Sequence, residues 1–414
     1  MFKLFHIVPY FFFYTIYYTN LPIKLEELLM LIYLGYYFLN ERIIFFKINY
    51  KLLFIILTLG LISIFKVIEN GYPLMRCLEQ IILLIVMFLG FDKLFEKYGY
   101  ERLFNIYLKV TYFICILGIF QFIVYLFLKI DIFPYPIGCN IRPLTTFGNN
   151  LARIRSIAYE PGWLAQTMLP ACIYSIENII RNKKIRINYL VILFTFFMTQ
   201  ASAAFIVVPL YFFITRFKKP TLKNIFKISI AIPLGLFLTK GVWWNKYIET
   251  IQSFKSLKTG VFEDINASSF SILSNLYVAL NNGNLFFGTG LGTHPYSYSK
   301  NFKNLETGVY YFYGLNAMDA YSLATRIVSE MGIVMLALFI VLIAINLNFD
   351  ETNKGLINRC ALAGILSFLL RGGLYTKFGT TFIILLFFRT ATSIKGVKYD
   401  FSYNDKLQGN SRYN

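Results

Sequence analysis

The segment RNKKIRINYLVILFTFFMTQASAAFIVVPLYFFITRFKK, residues 181–219, encloses an apolar run between two clusters of basic residues. A single tilted helix over residues 187–215 would place the two clusters on opposite sides of a membrane. A hairpin that turns at residues 199–202 would place both on the same side. Because cytoplasmic loops are rich in Lys and Arg, the pattern predicts the hairpin, with both clusters inside the cell.

The predicted hairpin is short for a bilayer. Each arm would be ~20 Å long at ~1.5 Å per residue, whereas the hydrocarbon core is ~30 Å thick. The turn would therefore lie below the outer surface, where non-helical backbone is tolerated only if it is buried in protein or lines a wet cavity. We therefore predict a water-filled recess that opens to the outer side.

The whole chain shares this apolar character. Its 414 residues are 57% hydrophobic, and long uncharged runs recur from the first residues almost to the last. We predict an all-α polytopic membrane protein with about 12 transmembrane helices. The first apolar run follows Lys3 and has no small-x-small cleavage site, so we predict that it is retained. The predicted helices cover residues 4–23, 25–39, 52–65, 75–91, 107–128, 161–179, 187–199, 202–215, 228–242, 320–347, 359–375 and 379–394.

The formal net charge is +19, and the basic residues cluster in short loops between the apolar segments. This is the pattern of cytoplasmic loops that face anionic lipid, so membrane lipid rather than nucleic acid is the predicted partner. The alternation places the N-terminus inside. It divides the chain into helices one to nine at 1–242 with an outer loop at 129–160, a long outer loop at 243–319, helices ten to twelve at 320–394, and an inner tail at 395–414.

Cysteine and histidine usage gives little support to metal or disulfide chemistry. The five cysteines show no CxxC or Cys-His spacing, and the two histidines are too few for a transition-metal site. We therefore predict no disulfide pair, no metal and no cofactor.

Arginines occur in the first outer loop, where the positive-inside rule disfavours them. Counting helices places Arg142, Arg153 and Arg155 outside the cell. One interpretation is a local ion pair with Glu160, or snorkelling of the arginines to lipid headgroups. The other is an anion site, because a guanidinium presents a planar, permanently charged fork that suits phosphate oxygens.

The helix that follows these arginines favours the anion site. Pro161 lies in its first turn, as prolines at the first helical position do. The helix N-terminus would add backbone N–H groups and the positive end of its dipole. Glu160 lies close to the N-cap, where a carboxylate is stabilised.

The long outer loop contains FFGTGLGTHPYSYS, residues 286–299. Its GTGLG is not a phosphate-binding P-loop, because the Lys-Ser/Thr end and a surrounding βαβ unit are missing. The glycines would instead present His294 beside Tyr296. Since imidazole takes a proton near neutral pH, His294 is a candidate general base, with a structural histidine as the alternative. Upstream, residues 269–282 carry an apolar stripe that predicts a helix lying on the bundle.

The segment DAYSLATRIVSEMGIV, residues 319–334, begins the next apolar helix. Asp319, Ser322, Arg326 and Glu330 recur at spacings of three and four and therefore share a face. Ionisable residues inside a membrane span usually face a cavity and mark function. The alternative is an Arg326–Glu330 pair that satisfies itself. Near the outer turn between the last two helices, two further candidates of this kind are Arg371 and Lys377.

Three of these stretches together resemble a known family. RSIAYEPGWLA, GTGLGTHPYSY and SLATRIVSEMG, set among these helices, resemble the O-antigen polymerase family, Wzy, which is distantly similar to O-antigen ligases of the GT-C type. The resemblance implies a GT-C-like bundle in the bacterial inner membrane with its active site facing the periplasm. It implies a glycosyltransferase that moves a growing glycan from undecaprenyl pyrophosphate to the non-reducing end of a new lipid-linked repeat unit. No metal or nucleotide sugar is implied, and the partners implied are a chain-length regulator and a flippase.

The resemblance also assigns roles to residues. Arg155 and Arg326 would bind pyrophosphate with Arg153 assisting, and His294 would be the general base. Glu160 would orient an arginine or act as the alternative base. Asp319, Glu330 and Tyr296 complete the predicted substrate-binding set. Catalysis by a single base would invert the anomeric carbon.

The sequence departs from the family at the hairpin turn. A Ser-Arg pair is frequent there in the family, whereas this chain has Ala201, Ser202 and Ala203, so another residue must supply the charge. Two alternatives to the polymerase stay open. One is an O-antigen ligase with lipid A core as acceptor, and the other is a lipid-linked oligosaccharide flippase. A transporter would usually show inverted repeats, and we see no such repeat in the sequence.

Overall fold

The computed structural model describes the larger part of the chain, and the fold is that of an all-α membrane protein. Four of the helices in the described part are long and apolar enough to cross a membrane: Leu52–Glu69, Leu74–Tyr98, Tyr100–Leu128 and Leu323–Ile345. The described residues are 10, 13–14, 24–40, 50–133, 146–147, 151–183, 185–216, 248–259, 262, 265–302 and 313–391.

The helices before the long loop are α1 Leu25–Asn40, α2 Tyr50–Glu69, α3 Leu74–Tyr98, α4 Tyr100–Leu128, α5 Pro161–Asn182, α6 Ile187–Thr199 and α7 Ser202–Arg216. Those within and after it are α8 Ser256–Thr259, α9 Ala267–Leu280, α10 His294–Phe302, α11 Leu323–Ile345, α12 Asn353–Leu370 and α13 Phe378–Arg389. A two-residue antiparallel ribbon, β1 Thr146–Phe147 with β2 Leu151–Ala152, precedes α5 and was not predicted.

The predicted hairpin is present. Helix α6 ends at Thr199, Gln200 adopts a left-handed conformation with φ 49°, and α7 begins at Ser202. Both arms pack on α5, so the short hairpin is supported by protein contacts. The predicted helix over 269–282 is also present as α9, and it packs against α11.

Other boundaries were wrong. Residues 92–106 were predicted to be a loop, but α3 continues to Tyr98 and α4 starts at Tyr100. A single glycine, Gly99 with φ 73°, makes the turn between them. The helix α3 continues past its apolar run into charged residues. One of these, Asp92, is buried in an ion pair with Arg389 of α13, so its charge is accommodated within the helix bundle. Some predictions fall wholly or mainly outside the described residues: those for the helices at 4–23 and 228–242, for Arg142 and for the tail at 395–414.

The two ends of the bundle differ in their contacts. At one end, Arg181 in the last turn of α5 donates to the carbonyl of Glu351, 3.0 Å away. At the same end, Asn353 at the start of α12 donates to Glu101 of α4 at 3.2 Å. These contacts join the predicted inner loops, and we call this the basic end. The opposite end, where α5 begins and α12 finishes, is called the site end.

The core between the ends is aromatic and densely packed. Phe13, Phe91 and Phe382 are almost fully buried, and their rings meet at centroid distances of 5.0 to 6.4 Å. Such edge and tilted contacts add to the area that these rings remove from lipid or water. Helices α3, α5, α12 and α13 therefore form a rigid support for the loops at the site end.

Helix α11 is interrupted near the site end. Gly332 has φ 87° and ψ 167°, which is not helical. The loop of turns before α10 fills the break, since Thr289 N–H donates to the Ser329 carbonyl at 3.1 Å and Ile333 N–H donates to the Leu285 carbonyl at 2.8 Å. A Cβ at Gly332 would lie 2.0 Å from the Phe286 carbonyl oxygen. The GTGLG stretch thus serves close backbone packing against a broken helix, which only glycines permit.

Candidate functional site

The turn between α12 and α13 builds the centre of the site end. It reads Arg371-Gly372-Gly373, and the Gly372 N–H donates to the Tyr321 carbonyl at 2.7 Å. A Cβ at Gly373 would lie 1.6 Å from the Asp319 carbonyl oxygen. The two glycines therefore let this turn dock on the segment before α11, which places Arg371 beside Tyr321 and Asp319.

Arg371 links that docked turn to the start of α5. Its Nη2 lies 2.5 Å from Oε1 of Glu160, the residue before Pro161, and its guanidinium lies 5.6 Å from the Tyr321 ring centroid. Both side chains of the pair remain about a quarter exposed, at 27% and 28%. The pair can therefore be reached from outside the bundle.

Arg153 approaches the same carboxylate from the hairpin turn. Its Nε donates to the Thr199 carbonyl at 2.9 Å, and its Nη2 donates to the Gln200 carbonyl at 3.2 Å. Burial lowers the pKa of Arg153 to about 10, against the opposing effect of Glu160 and with a smaller lowering by Arg371. Arg153 therefore places a guanidinium at the hairpin turn, where the sequence lacks the arginine that is frequent in the family it resembles.

Arg155 was predicted to bind pyrophosphate together with Arg326, and the structure gives it contacts with protein groups. Its Nη2 lies 2.6 Å from Asp131 and also donates to the Phe133 carbonyl. Its Nη1 donates to the Ala158 carbonyl at 3.3 Å, and the side chain is 3% exposed. These contacts tie the loop after α4 to the loop before α5. This geometry suits loop stabilisation, and of the two arginines it is Arg153 whose pKa is affected by Glu160.

Arg326 and Glu330 form the pair that the sequence offered as an alternative. Arg326 Nε lies 3.0 Å from Glu330 Oε1, and the two side chains are 4% and 0% exposed. Tyr375 covers the pair, since its hydroxyl donates to Glu330 Oε2 at 2.7 Å and its ring centroid lies 4.3 Å from the Arg326 guanidinium carbon. Arg326 Nη1 is buried and has no hydrogen-bond acceptor within the described residues.

His294 is fully buried, and both of its ring nitrogens are hydrogen bonded. Nε2 lies 2.9 Å from Asn275 Oδ1, and Nδ1 lies 2.8 Å from Ser329 Oγ. The Asn275 amide nitrogen donates to the carbonyls of Ser271 and Leu315, which fixes the amide so that its oxygen faces the histidine. The ring must therefore carry its proton on Nε2 and accept from Ser329 at Nδ1.

This arrangement bears on the role predicted for His294. Burial lowers the pKa of His294 to about 3, with a further lowering by Arg326. The lone pair that a general base needs is already occupied by Ser329. The geometry therefore favours the alternative interpretation, in which His294 is a structural residue that joins α9, α10 and α11.

Asp319 lies at the edge of the site and is half-buried. It accepts from Asn316 Nδ2 at 3.1 Å and from the Tyr321 N–H at 3.2 Å. Burial raises the pKa of this carboxyl, while its hydrogen bonds and the arginines Arg326 and Arg371 oppose that rise. Ala320 has φ 56° and Tyr321 has φ 62°, and left-handed conformations of this kind are concentrated at functional sites.

Tyr296 lies on another surface. The centroid of its ring lies 6.2 Å from that of Tyr72, in the turn between α2 and α3, with the two rings tilted by 31°. The neighbouring Tyr298 is buried against Tyr313, with ring centroids 6.1 Å apart. The structure thus gives these two tyrosines contacts of their own.

Further polar residues lie near Arg371. One is Lys377, a candidate from the sequence, whose Nζ lies 3.4 Å from the Trp163 ring centroid. Two others were not singled out from the sequence. Gln166 of α5 and Glu26 of α1 are buried nearby at the site end. Glu26 could have been found from sequence, because it is a carboxylate at the outer end of a predicted membrane helix.

Comparison with models of known families, with curated proteins and with solved structures found no match for this chain. The class of protein is therefore defined by its own fold and site: an all-α membrane protein with a buried, arginine-containing polar site at one end of its bundle.

Proposed function

We propose that the chain is an O-antigen polymerase: a metal-independent, inverting glycosyltransferase with about 12 membrane spans and a GT-C-like bundle. It acts in the bacterial inner membrane with the site end facing the periplasm. The donor is a glycan on undecaprenyl pyrophosphate, and the acceptor is the non-reducing sugar of a new lipid-linked repeat unit. Membrane lipid surrounds the bundle, and a flippase and a chain-length regulator are its proposed partners.

The observation that carries the proposal is the meeting of three arginines from three distant stretches. Arg371 is paired with Glu160, and Arg153 is close enough to both for them to affect its pKa. Asp319 is in turn close enough to Arg371 and Arg326 for both to lower its pKa. A buried donor without an acceptor, Arg326 Nη1, lies in this group. Buried polar groups are normally hydrogen bonded, so an acceptor-rich ligand is the natural partner of such a site.

The chemistry requires stabilisation of a leaving group. A glycosyl pyrophosphate reacts when the negative charge that develops on the departing diphosphate is stabilised. Preorganised guanidinium forks provide this through charge-assisted hydrogen bonds. Glu160 and Glu330 hold Arg371 and Arg326 in place, which reduces the reorganisation needed when the diphosphate binds.

We assign the general base to Asp319, with Glu160 as the alternative. The acceptor hydroxyl oxygen attacks the anomeric carbon and transfers its proton to the Asp319 carboxylate. The bond from the anomeric carbon to the diphosphate oxygen breaks, and undecaprenyl diphosphate leaves with the electron pair. Asp319 suits this step because its pKa is raised towards neutrality and it is half-buried beside Arg371.

A reconstituted reaction tests whether the protein is a polymerase. The purified protein in nanodiscs is given a lipid-linked repeat unit, so that donor and acceptor share one membrane. A polymerase yields products longer than one repeat unit without any transfer across the membrane. A ligase would form no such products and would instead attach the single repeat unit to lipid A core, so supplying that core as a second acceptor separates the two enzymes.

A lipid-linked oligosaccharide transporter is the second candidate. The observation that favours it is the break in α11 at Gly332, since interrupted helices line the sites of many transporters. In sealed vesicles with lipid-linked substrate on one leaflet, a transporter moves the substrate across the membrane and forms no polymer. Polymer formed from substrates on a single leaflet would remove this candidate.

A further inference from the structure

A second polar cluster lies at the site end next to Arg371. It consists of Glu26 in the first turn of α1, Trp163 and Gln166 in the first turns of α5, and Lys377 just before α13. We call it the Lys377 cluster. A Cβ at Gly372, the neighbour of Arg371, would lie 3.2 Å from Gln166 Oε1, so the cluster adjoins the arginine turn directly.

Lys377 is a buried cation in contact with an aromatic ring. The residue Lys377 is 8% exposed, and its ammonium group lies over the face of the Trp163 ring. No hydrogen-bond or ion-pair acceptor for this ammonium is found in the described part of the chain. Burial lowers the pKa of Lys377, and the carboxylates of Glu26 and Asp319 offset this only in part.

The other three members each have a polar atom that is buried without a partner among the described residues. These atoms are two donors, Trp163 Nε1 and Gln166 Nε2, and one acceptor, Glu26 Oε2. Proteins leave few buried polar groups unpaired, and several in one place call for a ligand or water. The set includes both donors and an acceptor, together with one cation and one carboxylate.

That composition separates the cluster from the arginine group. In the arginine group the carboxylates of Glu160 and Glu330 are paired with guanidiniums, whereas Glu26 Oε2 has no partner among the described residues. A diphosphate only accepts hydrogen bonds, so it would leave this oxygen unpaired. A sugar ring carries hydroxyls, each of which can donate and accept, and it is uncharged. A hydroxyl could donate to Glu26 while others accept from Trp163, Gln166 and Lys377.

We infer that the Lys377 cluster is a sugar subsite that binds the hydroxyls of the glycan residue attached to the diphosphate held at Arg371. The identification of the ligand as this sugar rests on the proposed function. The cluster supplies recognition of the sugar, and the arginines supply recognition of the diphosphate.

Trp163 offers a probe of the subsite itself. The sequence contains three tryptophans, so replacing Trp243 and Trp244 by phenylalanine leaves Trp163 as the sole tryptophan, whose emission is excited selectively at wavelengths that tyrosine does not absorb. This full-length protein in nanodiscs is titrated with farnesyl diphosphate, and with its glucose, galactose, N-acetylglucosamine and N-acetylgalactosamine conjugates. We expect at least one conjugate to bind about tenfold more tightly than farnesyl diphosphate alone, the effect of one or two net hydrogen bonds.

Three variants test whether the gain comes from the cluster: Lys377→Met, Gln166→Leu and Glu26→Gln. Each should abolish the gain from the sugar while leaving the affinity for farnesyl diphosphate within about threefold, since the arginines are unchanged. The matched control is Lys300→Met, which removes an exposed lysine that also lies over an aromatic ring, that of Tyr72 at 5.8 Å. It should leave the gain intact. A melting temperature near that of the parent shows that each variant is folded, and the three variants act on different helices.

The outcomes separate the two proposals. If farnesyl diphosphate binds and no conjugate binds more tightly, or if the gain survives in all folded variants, the sugar subsite is wrong and the proposed function stands. If methyl glycosides of the same four sugars bind at Trp163 while farnesyl diphosphate does not, the subsite stands and the proposed donor is wrong. If neither binds, both are wrong.

Discussion

Arg371 and Glu160 are 211 residues apart in the chain, yet their side chains form an ion pair at 2.5 Å at one end of the bundle. The pair joins the turn after α12 to the first turn of α5, and Arg153 and Asp319 lie close enough to alter its electrostatics. This arrangement makes the two stretches a single site.

Replacing Arg371 by alanine should reduce polymer formation by about 10²–10³, the effect of losing one preorganised donor to a developing negative charge. Arg371→Lys should restore little of this, because lysine keeps the charge and loses the fork. The measurement is the yield of products longer than one repeat unit at equal protein level. Arg76→Ala is the control, since it removes an exposed arginine paired with Glu79 at 2.8 Å. Normal polymer from Arg371→Lys would contradict bidentate binding.

The docking of the turn that carries Arg371 can be tested without changing Arg371. Gly373→Ala would place a Cβ 1.6 Å from the Asp319 carbonyl oxygen, so the turn must move away. We expect polymer formation to fall about as far as in Arg371→Ala, by ~10²-fold or more. Gly35→Ala is the matched control, because no atom lies within 4 Å of a Cβ built at Gly35. Full activity of folded Gly373→Ala would show that the docked geometry is not required.

Asp319→Asn removes the proposed base and keeps the size of the side chain. Turnover should fall by about 10²–10⁴, with the affinity for farnesyl diphosphate unchanged within a few-fold. In the wild type, the base must be deprotonated, so activity should rise with pH through a pKa above the ordinary range of aspartate, in the direction that burial shifts Asp319. Glu160→Gln distinguishes the alternative base, and a larger loss of turnover there with an unchanged rate in Asp319→Asn would transfer the role.

His294 is expected to stabilise the protein. His294→Ala would leave Asn275 and Ser329 without their partner, at a cost of about 1–3 kcal/mol for each buried group left unpaired. The melting temperature in detergent should fall clearly, and the activity of the remaining folded protein at low temperature should stay within about tenfold of wild type, because the ring takes no proton from substrate. A loss of turnover at unchanged melting temperature would restore the catalytic role.

Stability should depend on pH through the same residue. The pKa of His294 is lowered to about 3 in the folded protein, whereas an unfolded histidine titrates near ~6.5. Between these values the unfolded chain binds a proton that the folded protein excludes, so stability is lost as pH falls through this window. The loss is at most about 1.4 kcal/mol per pH unit. His294→Gln should melt with a smaller difference between pH 7.5 and pH 5, and an equal difference in both proteins would contradict the buried neutral histidine.

The features that sequence could predict are those set by local pattern. The hairpin arms were predicted to within a residue, because basic clusters flank an apolar run and the charges fix the sides. The start of α5 at Pro161 followed from the preference of proline for the first helical position. The shared face of Arg326 and Glu330 followed from helical spacing, and the two side chains form an ion pair.

What the sequence could not provide depends on contacts between distant segments. Arg153 and Arg155 look alike in the sequence. Only the fold brings Arg153 to the hairpin turn and Arg155 to Asp131. The glycines around His294 were visible, but their packing against the break at Gly332 requires the position of α11. A histidine in a Gly/Pro/Tyr stretch looks accessible, whereas α9 and α11 enclose this one fully.

The central claim is that Arg153, Arg326 and Arg371 together bind a diphosphate at the site end of the bundle. The most direct measurement is a cryo-EM map of the protein in nanodiscs with undecaprenyl diphosphate. The account predicts density for the diphosphate in contact with the guanidinium of Arg371 and within hydrogen-bond distance of at least one of the other two. Diphosphate density at the basic end near Arg181, or a bound lipid whose diphosphate contacts none of the three arginines, would contradict it.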